Sequence, residues 1–434
     1  RKVEKGQEIE LDELQKTAVY QAVQNGVTII TGGPGTGKTT TINTILQVFE
    51  QEGLDILLAA PTGRAAKRMS ETTGWEAQTI HGGVSEGDTQ GTMHFERNEK
   101  QPLEADVVII DEFSMVDIYL MNALLRAIVP GTRLIIVGDV NQLPSVGPGN
   151  VLKDMIQAEF CSVVRLHRIF RQAAESQIVM NAHRINSGEE ISLENASPDF
   201  MHLERKDSAS VINVVVQLIM QKLPPHVDAS PYDIQVLTPT RKGELGVEHL
   251  NQVLQQYMNP ADAGKVEREF HGVLFREKDK VMQIKNDYQI RWTKKTSLGD
   301  VYEEGTGVFN GDTGIIREII PVAEQVVVEF EEGKMVEYEY SQMDEMELAY
   351  AITIHKSQGS EYPAIVLPVL GGPKMLLGRN LLYTAVTRAK KCVTTVGSSR
   401  VIQGMIHNVN EQKRFSSLCQ RIKEMEEEDA ELNH

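Results

Sequence analysis

Residues Gly32 to Thr39 read GGPGTGKT, set between an apolar run and a helical one. Gly-x4-Gly-Lys-Thr in that setting is the pattern of a phosphate-binding loop. Its glycines let backbone N–H groups curl around phosphate oxygens, and the helix N-terminus that follows adds positive potential. Gly32, Gly33, Pro34, Gly35, Thr36, Gly37, Lys38, Thr39 and Thr40 are therefore candidate nucleotide ligands. Lys38 would reach the β and γ phosphates and Thr39 would ligate Mg²⁺. A chance glycine turn is the bland alternative, and the strand–loop–helix context argues against it.

Other residues could complete such a site. VVIIDEFSM puts Asp111 and Glu112 at the end of an apolar strand, where open α/β sheets face their ligands. Asp111 suits the Mg²⁺ shell, and Glu112 suits orienting or deprotonating a water. Two strand-end carboxylates capping a helix is the competing reading, weakened by the phosphate loop beside them. LIIVGDVNQLPSVGPG presents Asp139 and Gln142 in the same way, and a glutamine amide can sense a γ-phosphate or place water without adding charge. Gln15, in LDELQKTAV, offers a donor and an acceptor that match an adenine edge. Glu361 is chemically suited to accept from a ribose hydroxyl.

A second set of residues suits a phosphodiester backbone. PTGRAAKR gives Pro61, Thr62 and Arg64 at a strand-to-helix turn, where N–H groups and hydroxyls can hold phosphates. TIHGG adds Thr79 and His81, and ITIHK adds Thr353 and His355 at what reads as the equivalent place in a second domain. A lone histidine is usually structural; the repeated Thr/His pairing favours function. Lys67 reads as part of a solvated helix face.

The elements that must position these residues follow from periodicity. Apolar runs such as DILLAAPT, DVVIIDE and RLIIVGD alternate with helical stretches, which implies a parallel sheet covered on both faces. A second series, from CSVVRLHRIFRQ through YDIQVLTPT, AIVLPVL and CVTTVGS, implies another. Residues 83–104 read as a small hairpin insert. Residues 242–346 are β-type runs with Gly-Asp and Glu-Gly turns, which reads as a barrel-like insertion in the second α/β domain. The expected divisions are 1–150 for the first domain, and 151–241 with 347–434 for the second, ending in a charged helical or frayed tail.

Composition sets limits. With 434 residues there is room for roughly two to four domains. No apolar run is long enough for a transmembrane helix. Three scattered cysteines suggest neither a disulfide framework nor a zinc site, and fit a reducing compartment. The chain opens on Arg1 rather than Met, so the lack of a leader says little about location. The 44 basic against 61 acidic residues give a net charge of −17, which argues against a nucleic-acid-coated surface but permits a narrow basic channel.

Taken in order, APTGRAAKRMSE, TIHG, DEFSMVD, GDVNQLPSVGPG, RIFRQ, TPTRKGELG, YAITIHKSQGSEY and YTAVTRAKK closely resemble the RecD-like branch of the superfamily 1B (5′-to-3′) DNA helicases. The resemblance runs from Leu11 to about Val401. It implies two RecA-like parallel-sheet domains with ATP in the cleft between them, the hairpin as a pin and the β-insertion as an SH3-like barrel. The positions matching the family's arginines are Arg171 in FRQ and Arg388 in VTRAKK, expected from the second domain. Arg388 otherwise reads as a cap on its helix's C-terminal end, and Arg171 as a surface charge. Gly359 and Glu361 match positions at the γ-phosphate and ribose. The resemblance further implies ATP and Mg²⁺, single-stranded DNA and its junctions with duplex, contacts with single-strand-binding or repair proteins, a monomer, and the bacterial cytosol near the nucleoid. An RNA helicase or a protein-stripping translocase is the alternative, since phosphate-tracking residues do not read the 2′-hydroxyl strongly. An ATP-binding module without turnover fits poorly with Lys38, Glu112, Gln142, Arg171 and Arg388 all present.

Overall fold

A computed structural model describes residues 10–80, 86–87, 93–94, 97–409 and 414–432. The chain divides into two compact units: Arg1–Ser187 together with Asn410–His434, and Gly188–Val409.

In the first unit six parallel strands form one sheet, in the order Ala77–Thr79, Ile56–Ala60, Val107–Ile110, Arg133–Gly138, Val27–Gly32 and Ser162–Leu166. Side chains alternate across a strand, so each apolar run feeds two cores. Ile29, Val108, Ile110, Leu134 and Ile136 pack with Phe113, Leu120 and Leu124. Ile30, Val107, Ile109, Ile135 and Val137 pack with Ile42, Ile45, Leu46 and Phe49 of helix Lys38–Gln51. The register pairs Thr31 with Gly138, Gly32 with Leu166, Ala60 with Thr79 and Ile110 with Ile136. The loops that follow Gly32, Ala60, Ile110 and Gly138 therefore leave the sheet at the same edge.

Two boundaries differ from those expected. Ser162–Leu166 bonds along Val27–Gly32, so residues 151–187, Arg171 among them, lie in the first unit and not the second. Nothing in the apolar run CSVVRL distinguishes one parallel sheet from another; edge pairing decides it. The C-terminal region also differs. Helix Leu418–Leu432 belongs to the first unit, where Leu418 and Ile422 pack on the core beside helix Val151–Ala158. Within the expected 83–104 insert, Glu86 pairs with His94 and Gly87 with Met93 in antiparallel fashion. His81 and Phe95 lie outside the described residues.

The second unit holds a five-stranded parallel sheet, in the order Ala351–Thr353, Gln235–Thr238, Tyr362–Val369, Ala389–Gly397 and Phe200–Glu204. Between its strands Gln235–Thr238 and Ala351–Thr353 lies a seven-stranded antiparallel sheet running from Lys280–Gln283 to Met346–Leu348. This is the expected β-insertion, but it starts later than residue 242. Helix Val247–Met258 belongs with the α/β layer: the Asn251 amide donates to the carbonyls of Leu348 (2.9 Å) and Ala351 (3.0 Å) and accepts from the Ala351 N–H. No helix among the described residues is long and apolar enough to cross a membrane.

Asp279, fully buried, joins the insertion to the α/β layer. Its carboxylate accepts from Gln255 Nε2 (2.7 Å), the Arg276 N–H (2.7 Å), Asn259 Nδ2 (2.7 Å) and the Tyr350 hydroxyl (2.8 Å). Burial pushes this carboxyl up, and the four donors oppose that. Asp279→Ala strands those donors in a dry site. It is expected to cost about 3–5 kcal/mol of stability, read as a lower urea midpoint, while Asp279→Asn loses less. A midpoint unchanged in Asp279→Ala would show that water satisfies the donors.

Candidate active site

The phosphate loop is braced from behind. Gly35 (φ 72°) and Gly37 (φ 81°) adopt left-handed conformations that favour glycine. A Cβ at Gly37 would lie 2.4 Å from Gln15 Nε2 and 2.8 Å from Phe170 Cε2, and one at Gly35 would lie 2.6 Å from the Ala173 Cβ. The Phe170 N–H donates to the Gly35 carbonyl (3.2 Å), and His183 Nε2 sits 2.9 Å from the Pro34 carbonyl as a donor. Phe170, Ala173 and His183 were not singled out in the sequence. They come from the segment whose sheet was misplaced, and no local pattern links them to the loop. Inside the loop, Lys38 Nζ donates to the carbonyls of Gly32 (2.6 Å) and Gly33 (3.1 Å), and the Thr36 hydroxyl to that of Gly33 (2.8 Å). A phosphate is a stronger acceptor for an ammonium than neutral carbonyls are. Thr39 is exposed and Thr40 half-buried in the first turn of the helix.

Gln15 is buried, and backbone groups occupy its amide. Its Oε1 accepts the Asp12 N–H (3.1 Å) in a capping box, and its Nε2 donates to the Gly37 carbonyl (3.2 Å). In this geometry Gln15 braces the loop; it does not present the open donor–acceptor edge expected for adenine.

Asp111 is half-buried at its strand end, and its Oδ1 accepts the Glu112 N–H (2.8 Å). Burial and then the Glu112 carboxylate push its carboxyl up, while the charges of Arg68 and Lys38 hold it down. Four charged groups thus act at one place. Glu112 is buried and holds φ 52°, a left-handed conformation that costs a non-glycine residue about 1–2 kcal/mol. Its Oε1 is paired with Arg68 Nη2 of helix Gly63–Thr73. Sequence reasoning missed Arg68; the available signal was its spacing of one helical turn from Arg64.

Asp139 and Gln142 follow Arg133–Gly138 as expected. Asp139 is buried and accepts the Asn141 N–H (3.0 Å) on Oδ1, while the Val140 N–H donates to Thr31 Oγ1 (3.4 Å) and ties this turn to the first strand. Gln142 is 8% exposed, and its Oε1 has no hydrogen-bond partner among the described residues. A buried amide oxygen without a donor costs about 1–3 kcal/mol, so this atom is suited to accept from a ligand or its water. Asp111 and Thr39 offer hard oxygens, which is what Mg²⁺ takes from a protein when phosphates and water fill its other positions.

The strand-contact candidates share one local design. Thr62 Oγ1 accepts the Ala65 N–H (3.2 Å) and Thr353 Oγ1 accepts the Lys356 N–H (3.4 Å), each as the cap of the helix after its strand. Pro61 is buried, Arg64 and Thr79 are half-buried, and His355 is exposed. In the second unit Gly359 (φ 75°) leads into Glu361, which is exposed and 3.7 Å from Lys390 Nζ. Arg388 is 2% exposed. It donates from Nε to the Thr384 carbonyl (3.3 Å), from Nη1 to the Ser360 carbonyl (3.2 Å) and from Nη2 to Thr387 Oγ1 (3.2 Å). It therefore caps helix Arg379–Val386 and also pins the Gly359–Glu361 turn. Arg171, expected from the second domain, instead opens the short helix Arg171–Ala174 of the first unit and is exposed.

Glu112→Gln removes the carboxylate and keeps its volume. Nucleotide hydrolysis is expected to fall by about 10²–10⁴-fold with nucleotide binding retained. Arg68→Ala leaves Glu112 buried without that partner and is expected to lower kcat about 10-fold. Single-turnover hydrolysis and fluorescent-nucleotide binding check both; wild-type kcat in Arg68→Ala would remove Arg68 from the site.

Comparison with known proteins bears on this arrangement. Residues 15–148 match the AAA domain family, residues 250–330 the ATP-dependent RecD-like DNA helicase SH3 domain, and residues 348–396 the UvrD-like helicase C-terminal domain. The chain is 35% identical over 414 residues to the ATP-dependent RecD2 DNA helicase of Deinococcus radiodurans, across 95% of this chain and 52% of that protein. It is 30% identical over 446 residues to the RecBCD enzyme subunit RecD of Mycolicibacterium smegmatis, across 95% of this chain and 75% of that protein. It thus spans about half the length of the Deinococcus relative. Its fold is similar to that of a Pif1 helicase solved in a study of DNA unwinding at forked duplex (TM-score 0.52, 19% identity, 97% of this chain and 98% of that one). It is also similar to the Bacteroides Pif1 helicase with ADP-AlF3 and ssDNA (TM-score 0.50, 18% identity, 98% of each chain). With a phosphate loop, paired strand-end carboxylates and an antiparallel insertion in the second α/β unit, matched along nearly its whole length, the chain belongs to the RecD-like DNA helicase family.

Proposed function

We propose that this chain is the motor core of an ATP-dependent DNA helicase that moves 5′ to 3′ along single-stranded DNA and opens the duplex ahead of it. The observation that carries the reading is the convergence, at one edge of the first sheet, of the braced phosphate loop, Asp111, the Arg68-held Glu112 and the unpartnered oxygen of Gln142. Direction of travel, and a role in DNA repair or recombination as a monomer in the bacterial cytosol, rest on the family.

In this reading Lys38 exchanges the carbonyls of Gly32 and Gly33 for phosphate oxygens. Asp111 and Thr39 would hold Mg²⁺, which supplies neutralisation of phosphate charge. Glu112 aligns and deprotonates the attacking water, and Gln142 accepts from that water or contacts the γ-phosphate. Arg388, held here on the Thr384 and Ser360 carbonyls, would stabilise transferred charge with its guanidinium. Arg171 supplies a second guanidinium, while Gly359 and Glu361 contact the γ-phosphate and ribose. Pro61, Thr62, Arg64, Thr79, His81, Thr353 and His355 hold the strand through its phosphates and sugars, contacts that carry no sequence code.

ATPase assays with single-stranded DNA, single-stranded RNA or neither, and unwinding of 5′-tailed against 3′-tailed duplex, test the proposal. DNA-stimulated hydrolysis and opening of 5′-tailed duplex are expected. Stimulation by RNA alone would shift the substrate to RNA, and opening of 3′-tailed duplex alone would reverse the direction. Arg388→Ala is expected to keep nucleotide binding and to lose about 10³-fold or more in hydrolysis. Full ATPase in Lys38→Ala or Arg388→Ala would refute the site.

A further inference from the structure

One charged side chain outside the site grips a loop that leads straight out of it. Arg414 Nη1 donates to the carbonyls of Gly147 (2.7 Å) and Gly149 (2.7 Å) and to Ser145 Oγ (3.3 Å), and its Nη2 donates to the Ser145 carbonyl (2.6 Å). Residues 143–149 form no strand or helix. They begin one residue after Gln142, and their carbonyls have no ladder to join. A guanidinium fits this task because its donors diverge from a rigid plane.

The rest of the loop is equally constrained. Ser145 is buried and donates to the Gly147 carbonyl (3.1 Å), and the Ile118 N–H donates to the Pro148 carbonyl (3.0 Å). A Cβ at Gly147 would fall 1.9 Å from Asp117 Oδ2, the side chain that caps helix Ile118–Ala127. The loop is pressed between that cap and Arg414. Behind Arg414, helix Leu418–Leu432 sits on the core of the first unit through Leu418 and Ile422, beside the helix that follows the loop. The clamp therefore has a fixed base.

We propose that Arg414 is a positioning residue for Gln142: by fixing residues 145–149 it holds the Gln142 side chain where hydrolysis needs it, so the returning C-terminal segment tunes turnover. The inference rests on the proposed ATPase reading for its catalytic half and on geometry alone for the clamp.

Two measurements separate these halves. Hydrogen exchange on the full chain without nucleotide is expected to speed up in Arg414→Ala for amides between residues 139 and 150, and to stay unchanged elsewhere. DNA-stimulated kcat is expected to fall about 10- to 100-fold, the scale of a small misplacement of a catalytic group, with KM for ATP nearly unchanged. Arg414→Lys, whose single ammonium cannot span three carbonyls, should be intermediate in both and carries the comparison if Arg414→Ala does not fold. Lys38→Ala should abolish hydrolysis and keep wild-type exchange. Unchanged exchange in the Arg414 variants overturns the clamp, and faster exchange with wild-type kcat overturns the positioning role. A wild-type chain without ATPase would instead overturn the proposed function, and the positioning role with it.

Discussion

The site depends on the register of a parallel ladder. Gly32, Ala60, Ile110 and Gly138 end four strands of one sheet, and their pairing with Leu166, Thr79, Ile136 and Thr31 puts the following loops at a single edge. A slip of two residues keeps every side chain on its proper face yet moves a loop by about 6–7 Å. The loop carrying Gln142 or Glu112 would then be displaced by the length of a side chain. The apolar pattern alone tolerates that slip. Local ties oppose it: the Val140 N–H on Thr31 Oγ1, and the close approach of Leu166 to Gly32, where a Cβ would fall 2.8 Å from the Leu166 carbonyl.

That division explains what could be read in the sequence. The phosphate loop and the strand-end residues Asp111, Glu112, Asp139 and Gln142 are local signals, since each is a strand pattern followed within a few residues by its candidate polar group. Both parallel sheets and the antiparallel insertion were legible for the same reason. Pairings between distant residues were not. Arg68 and Glu112 lie 44 positions apart, and the spacing of Arg68 from Arg64 along the helix does not by itself point to Glu112. CSVVRL could belong to either sheet until its hydrogen bonds to Val27–Gly32 are seen. Gln15 has the right chemistry for a base, but the capping box with Asp12 takes its Oε1 and the Gly37 carbonyl takes its Nε2.

Several candidate site residues have their polar groups occupied by the protein's own backbone. Lys38 sits on the carbonyls of its own loop, Gln15 on Gly37, and Arg388 on Thr384 and Ser360. A buried cation without acceptors would be expensive, so carbonyls of the loops themselves serve as stand-ins. Exchange of a neutral acceptor for a phosphate oxygen then gains energy without creating an orphan. Gln142 Oε1 is different, because no donor faces it among the described residues. Its environment improves when a ligand or water arrives, and on the proposed reading the carbonyl clamp on the loop that follows it bears on chemistry as well as on stability.

Helix Gly63–Thr73 carries the remaining link. Its first turn holds Thr62 as cap and Arg64 in the turn suited to a phosphodiester, and Arg68, one turn on and about 6 Å along the axis, holds Glu112. An α-helix of this length moves as a rigid body, so a shift of its N-terminal end cannot leave Arg68 in place. Glu112 in turn sits in a left-handed conformation that its surroundings must enforce. Under the proposed reading, a strand seated at Thr62 and Arg64 reaches the hydrolytic carboxylate through one helix and one ion pair. Net charge does not decide this: the −17 of the whole chain includes distant acidic stretches such as residues 424–431, whereas at the site Lys38 and Arg68 stand against Asp111 and Glu112 at short range.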